Sequence, residues 1–73
     1  MKDPGRNFGH AVRRLRHRAH LSQEAVARAA QMDPSLLRQI ERGDVTGVRL
    51  STIFYLALAL GVEPKELAEE AGI

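Results

Sequence analysis

Cysteine is absent from the 73 residues, which removes disulfides, thiol nucleophiles, iron–sulfur clusters and every cysteine-based zinc site together. Aromatic residues are scarce: Phe8, Phe54 and Tyr55 make up 4% of the chain, so aliphatic packing and good helix formers must supply the core. No apolar run approaches the roughly 20 residues needed to cross a bilayer. The longest uncharged stretch is residues 50–62, and the amino terminus enters a charged segment without an apolar signal core. A cytoplasmic protein with no membrane partner is expected. A chain this short buries only about 60% of the surface it exposes when unfolded, so residues 1–73 form one domain, with 1–6 as a flexible arm and 7–70 as its core. No room remains for a large enzyme cleft.

Charge of one sign is also unevenly distributed. Residues 1–49 carry ten Lys and Arg against five acids, whereas residues 50–73 carry Lys65 against Glu63, Glu66, Glu69 and Glu70. The formal net charge of +2 therefore hides a basic portion of +5 joined to an acidic one of −3. That asymmetry suits a polyanion-binding face, with nucleic acid the leading candidate. Nine of the eleven cations are arginine, the side chain whose planar fork meets phosphate and guanine in bidentate fashion.

The periodicity is helical throughout. Phe8, Val12, Leu15 and Ala19 form one apolar stripe, predicting helix 1 over residues 7–19. Ser22 is an N-cap before a run of helix formers, predicting helix 2 over 23–30. Asp33-Pro34 pairs a capping oxygen with proline at the first helical position, and Gly43 supplies a left-handed stop, predicting helix 3 over 34–42. The gap between helices 2 and 3 is short enough to make them a tight angled pair. Residues 44–49 read as a loop, residues 50–60 as helix 4 ending at Gly61, and Pro64 opens a short helix 5 to about residue 70.

Helix 4 is apolar on more than one side. With Ile53 at 0° and about 100° per residue, Leu50, Leu56, Ala57 and Leu60 share the core direction, while Phe54 and Leu58 point elsewhere. Phe54 and Leu58, with Leu67 and Ile73, are therefore expected to form a homodimer interface. The alternative is that helix 5 and the tail fold back over that face. On helix 3, Leu37, Ile40 and Glu41 face inward, and Ser35, Arg38, Gln39 and Arg42 face outward. A hydroxyl, an amide and two guanidiniums are the groups that read base edges.

From Phe8 to Leu67 the sequence resembles the lambda-repressor/Cro-like helix-turn-helix family, also called the XRE family. The resemblance rests on Phe8-Gly9, Val12, Leu15-Arg16, Leu21-Ser22-Gln23-Glu24, Ala27, Leu37, Ile40-Glu41-Arg42-Gly43, Leu50-Ser51-Thr52-Ile53, Leu56-Ala57 and Ala59-Leu60-Gly61-Val62 in that order and spacing. It implies an all-α fold, a compact five-helix lambda-repressor-like domain whose helix-turn-helix is formed by helices 2 and 3. The third helix would enter the DNA major groove, usually from a symmetric dimer. Residue by residue, Gln23 matches a phosphate-contacting glutamine, and Pro34, Ser35, Arg38 and Gln39 match base-reading positions. Arg16 and Glu41 match a structural ion pair tying helix 1 to helix 3. Arg42, Thr46 and Arg49 are further phosphate candidates. His20 and Gln31 stand where the family has turn glycines, so one or both are expected at positive φ. Glu63 replaces the family's better caps before Pro64.

The expected function is sequence-specific double-stranded DNA binding on a pseudo-palindromic operator, by a homodimeric transcriptional repressor or controller associated with the nucleoid when bound. The alternative is an antitoxin or docking module whose main ligand is a partner protein. No Ser–His–Asp set, phosphate-cradling glycine loop or pocketed carboxylate pair is present in the sequence, so neither enzyme activity nor a cofactor is expected. His10, His17 and His20 lack the companion ligands of a metal site.

Overall fold

The computed structural model describes residues 4–45 and 47–72, and contains five helices: α1 (Pro4–Arg18), α2 (Gln23–Ala29), α3 (Pro34–Arg42), α4 (Leu50–Leu60) and α5 (Pro64–Glu70). No strand occurs among the described residues. Helices α1 and α3 pack on each other, α2 lies against α3 and α4, and α5 closes the far side against α1 and α4. Phe8, Val12, Leu15, Val26, Leu37, Ile40, Leu56, Leu60 and Leu67 meet in one core, with Ala11, Ala27 and Ala57 allowing close approach. Thr46 and Ile73 lie outside the described residues.

Local chemistry accounts for most of the helix ends. Ser22 accepts a hydrogen bond from the Ala25 N–H, and Asp33 from the Ser35 N–H, satisfying donors that a helix start leaves open. At the other ends, α1, α2, α3 and α4 all stop on a left-handed residue. Leu21 N–H then reaches the Arg16 carbonyl, Met32 that of Ala27, Asp44 that of Gln39 and Val62 that of Ala57. Glycine supplies this geometry at Gly43 and Gly61, but His20 and Gln31 adopt it with φ of 58° and 57°, so both expected positions are positive. A side chain at such a φ costs about 1–2 kcal/mol, which the surrounding turn bonds must offset.

Helix α1 starts at Pro4, inside the segment expected to be a flexible arm. The physical reason is tertiary. Gly43, in its left-handed conformation, has no Cβ to keep the Arg6 backbone away; an added one would sit 2.9 Å from the Arg6 Cα. The first turn of α1 therefore rests against the end of α3. One turn further, Gly9 is buried where a Cβ would overlap the Ile40 carbonyl oxygen, so α1 and α3 cross backbone to backbone.

Gly9→Ala should therefore destabilise the domain even though alanine is the better helix former by about 1 kcal/mol. Overpacking of about 1–3 kcal/mol forces α3 off α1. We expect a fall in thermal midpoint of several degrees, measured by circular dichroism, and an unchanged or raised midpoint would refute the crossing.

Candidate DNA-binding interface

Among the described residues two charged side chains are buried, and they are paired. Arg16 on α1 donates from Nε to Glu41 Oε2 at 2.7 Å and from Nη2 to Glu41 Oε1 at 3.0 Å, in the two-pronged geometry of a guanidinium meeting a carboxylate. Its Nη1 donates to the Leu21 carbonyl at 3.0 Å, and Nη2 also lies 3.2 Å from His17 Nε2. Gln23 Nε2 donates a further bond to Glu41 Oε1 at 3.0 Å. No described buried side-chain nitrogen or oxygen lacks a partner. Removing either member of such a pair leaves an uncompensated charge, at a cost of about 3–5 kcal/mol.

This network orients α3. Leu37, Ile40 and Glu41 are buried, Pro34 is half-buried, and Ser35, Arg38, Gln39 and Arg42 are exposed along the opposite face. Four of the eight residues expected to read bases or contact phosphate are thus brought onto one ridge. Gln23 stands beside them at the start of α2, with one amide N–H committed to Glu41. Ser35 is also committed: its hydroxyl donates to Asp33 Oδ1 at 2.6 Å. Arg42 makes an exposed ion pair with Asp44 at 3.0 Å, an interaction weak enough to exchange for another anion.

The ridge has two unlike flanks. On one side lies a groove of about 840 Å³, walled by Arg6, His10 and Arg13 of α1 and by Arg38 and Arg42 of α3, with Arg16, Gln23 and Glu41 at its floor and Asp44 at its rim. On the other side Leu36, Ile40, Val45, Gly47, Val48, Arg49 and Thr52 line a smaller, more apolar hollow of about 290 Å³. Arg42 and Arg49 are therefore not brought together; they face different flanks. The α1 wall of the basic groove was missed in the sequence. Its signal was the i, i+4, i+7 spacing of Arg6, His10 and Arg13, which becomes meaningful only once α1 is placed against α3.

The second candidate surface is α4. Phe54 and Leu58 are 51% and 76% exposed, so α5 does not fold over them. Leu50, expected in the core, is 68% exposed and joins them at i, i+4, i+8, with Tyr55 alongside. Leu67 corrects the expectation in the other direction. It is fully buried among the helices of its own chain and offers no surface to a second copy.

The helix-turn-helix domain family matches residues 7–70. The chain belongs to that family. It is a DNA-binding transcription regulator of the helix-turn-helix class. The control protein C.BamHI of Bacillus amyloliquefaciens is 36% identical over 63 residues, covering 85% of this chain and 76% of the relative. The restriction-modification controller protein C.AhdI of Aeromonas hydrophila is 41% identical, with a TM-score of 0.81 over 86% of this chain and 94% of the other. The clp gene regulator ClgR of C. glutamicum has the same fold, with a TM-score of 0.90 over 99% of this chain and 92% of the other, at 24% identity. No helix of this domain, among the described residues, is long and apolar enough to cross a membrane.

Two carboxylates, Asp33 exposed and Glu70 half-buried, make the domain's stability depend on pH. Asp33 is held below the ordinary carboxylate range by the Ser35 hydroxyl, then by the Ser35 N–H. Glu70 is held low by Arg14 and Arg18, which reach across from α1 to α5 at 3.2 Å each. A carboxylate with a depressed folded-state pKa adds stability above its unfolded pKa, and loses it as pH falls through the folded value. Unfolding between pH 7 and pH 3 should show stability falling below about pH 4, with a shallower fall in the Asp33→Asn/Glu70→Gln double variant. Equal slopes would contradict the assignment.

Proposed function

We propose that this helix-turn-helix domain acts as a homodimeric, sequence-specific regulator of the controller type, inserting α3 into the major groove of a pseudo-palindromic operator. The observation that carries the reading is the buried Arg16–Glu41 pair, which fixes an exposed ridge of Ser35, Arg38 and Gln39 beside a groove walled by arginine. Arg38 and Gln39 have the donor and amide geometry to pair with guanine and adenine edges. Gln23, Arg42 and Arg49 serve as phosphate contacts, joined by Arg13 and His10 from the α1 wall. The domain works in the cytoplasm, on the nucleoid. The relatives called controllers of restriction and modification support regulation of that kind.

Arg38→Ala or Gln39→Ala should cost about 1–3 kcal/mol of operator affinity and relax one base position. Gln23→Ala should weaken operator and random DNA alike while leaving the salt dependence of binding nearly unchanged, because the amide carries no charge and releases no counterion. Footprinting on DNA upstream of the gene, followed by titration of the three variants, checks this. Equal losses on both DNAs for all three would defeat it.

The α4 stripe supports the dimer. Leu50, Phe54 and Leu58 leave an apolar surface in water that a second copy, related by two-fold symmetry, would cover. Such a pair can present its recognition helices about 34 Å apart, one helical turn of DNA. In sedimentation, the wild-type chain should run as a dimer and Phe54→Glu as a folded monomer; a monomeric wild type would remove the proposal.

A further inference from the structure

The residue that caps α3, Asp33, is a carboxylate that does more than start a helix. Asp33 Oδ1 accepts twice from Ser35, from the backbone N–H at 2.8 Å and from the hydroxyl at 2.6 Å. A serine hydroxyl has one proton and two lone pairs. With that proton directed at Asp33, Ser35 has only acceptor capacity left for anything in front of the helix. The carboxylate is itself acceptor-only when ionised, and both residues are exposed. The Ser35 contacts, aided by the nearby charge of Arg38, keep Asp33 ionised at neutral pH, so it does not become a donor.

We propose that Asp33 is a specificity-determining residue. By holding the Ser35 hydroxyl proton, it makes the start of α3 an acceptor-only surface that selects adenine or cytosine on the contacted strand and rejects guanine and thymine there. The proposal rests on the reading of α3 as the major-groove helix. In that groove adenine N6 and cytosine N4 are donors, whereas guanine shows O6 and N7, and thymine O4 and a methyl group. Acceptor set against acceptor leaves both unpaired on leaving water, which penalises the wrong base more than a missing contact would. One turn along, Arg38 carries donors only, so the helix changes from accepting to donating along its length. Asp33 thus acts through Ser35 as a positioning group, at a place in the structure where capping alone would need only the bond to the backbone N–H.

The test is selection of binding sites from randomised duplex DNA by the full chain, as wild type, Ser35→Ala and Asp33→Ser. The last variant keeps an oxygen that can cap α3 but frees the Ser35 hydroxyl to donate; circular dichroism confirms folding in each case. Wild type should enrich adenine or cytosine by about fivefold or more at one half-site position. Both variants should lose that preference at that position only. If the variants bind more weakly but keep every base preference, Asp33 and Ser35 only cap the helix and the proposal is overturned. Enrichment of guanine or thymine at the position that Ser35→Ala relaxes overturns it as well. A wild-type chain that enriches no sequence overturns the DNA-binding reading itself, and this inference with it.

Discussion

A guanidinium and a carboxylate taken out of water hold α1, the turn after it and α3 in one arrangement. Arg16 uses three of its nitrogens across these elements, and Glu41 receives both Arg16 and Gln23. Burying the two charges carries a desolvation cost that their attraction repays only with near-complete hydrogen bonding. That requirement makes the pair a positional constraint. The Leu21 carbonyl can face Arg16 because the chain reverses at His20 in a left-handed conformation, and Leu21 N–H returns a bond to the Arg16 carbonyl. Strain in one turn and satisfaction of one buried charge are thus two parts of the same arrangement.

The orientation of α3 follows from it. With Glu41 held inward and Gly9 admitting the Ile40 backbone, α3 has little freedom to rotate or to lift from α1. Ser35, Arg38, Gln39 and Arg42 consequently project from a rigid support, which is what recognition of base edges requires: a reading side chain must arrive in position without a large ordering cost. The same crossing creates the basic groove, because bringing α1 against α3 sets the arginines of the two helices on facing walls. Polyanion affinity and base reading therefore share one structural origin.

Much of the fold was legible because its signals are local. Proline at the starts of α3 and α5, glycine after α3 and α4, and the Ser22 and Asp33 caps act within a few residues of themselves. Helices α3, α4 and α5 consequently have their expected bounds. The same locality explains what was missed. Gly5 is a poor helix former, and the first turn of α1 is supported by the contact between Arg6 and Gly43, 37 residues apart. Leu50 lies only about 60° from the core direction on a helical wheel, yet no neighbouring element reaches the first turn of α4 at that angle, so it is exposed. Leu67, whose apolar character alone could serve a core or an interface, is claimed by the core because α5 packs flat across α1 and α4.

By itself the sequence determined five helices, their order and the outward set on α3, since these follow from periodicity and capping chemistry, while the left-handed turns at His20 and Gln31 and the Arg16–Glu41 pair were legible only through the resemblance to a known family. Only the tertiary structure decided that α1 lends Arg6, His10 and Arg13 to one groove with α3, that Leu50 rather than Leu67 continues the exposed stripe of α4, and that the Ser35 hydroxyl is directed at Asp33. Those outcomes depend on which surfaces the other helices cover and where a single proton points. Both are settled by distances between atoms that a one-dimensional pattern does not contain.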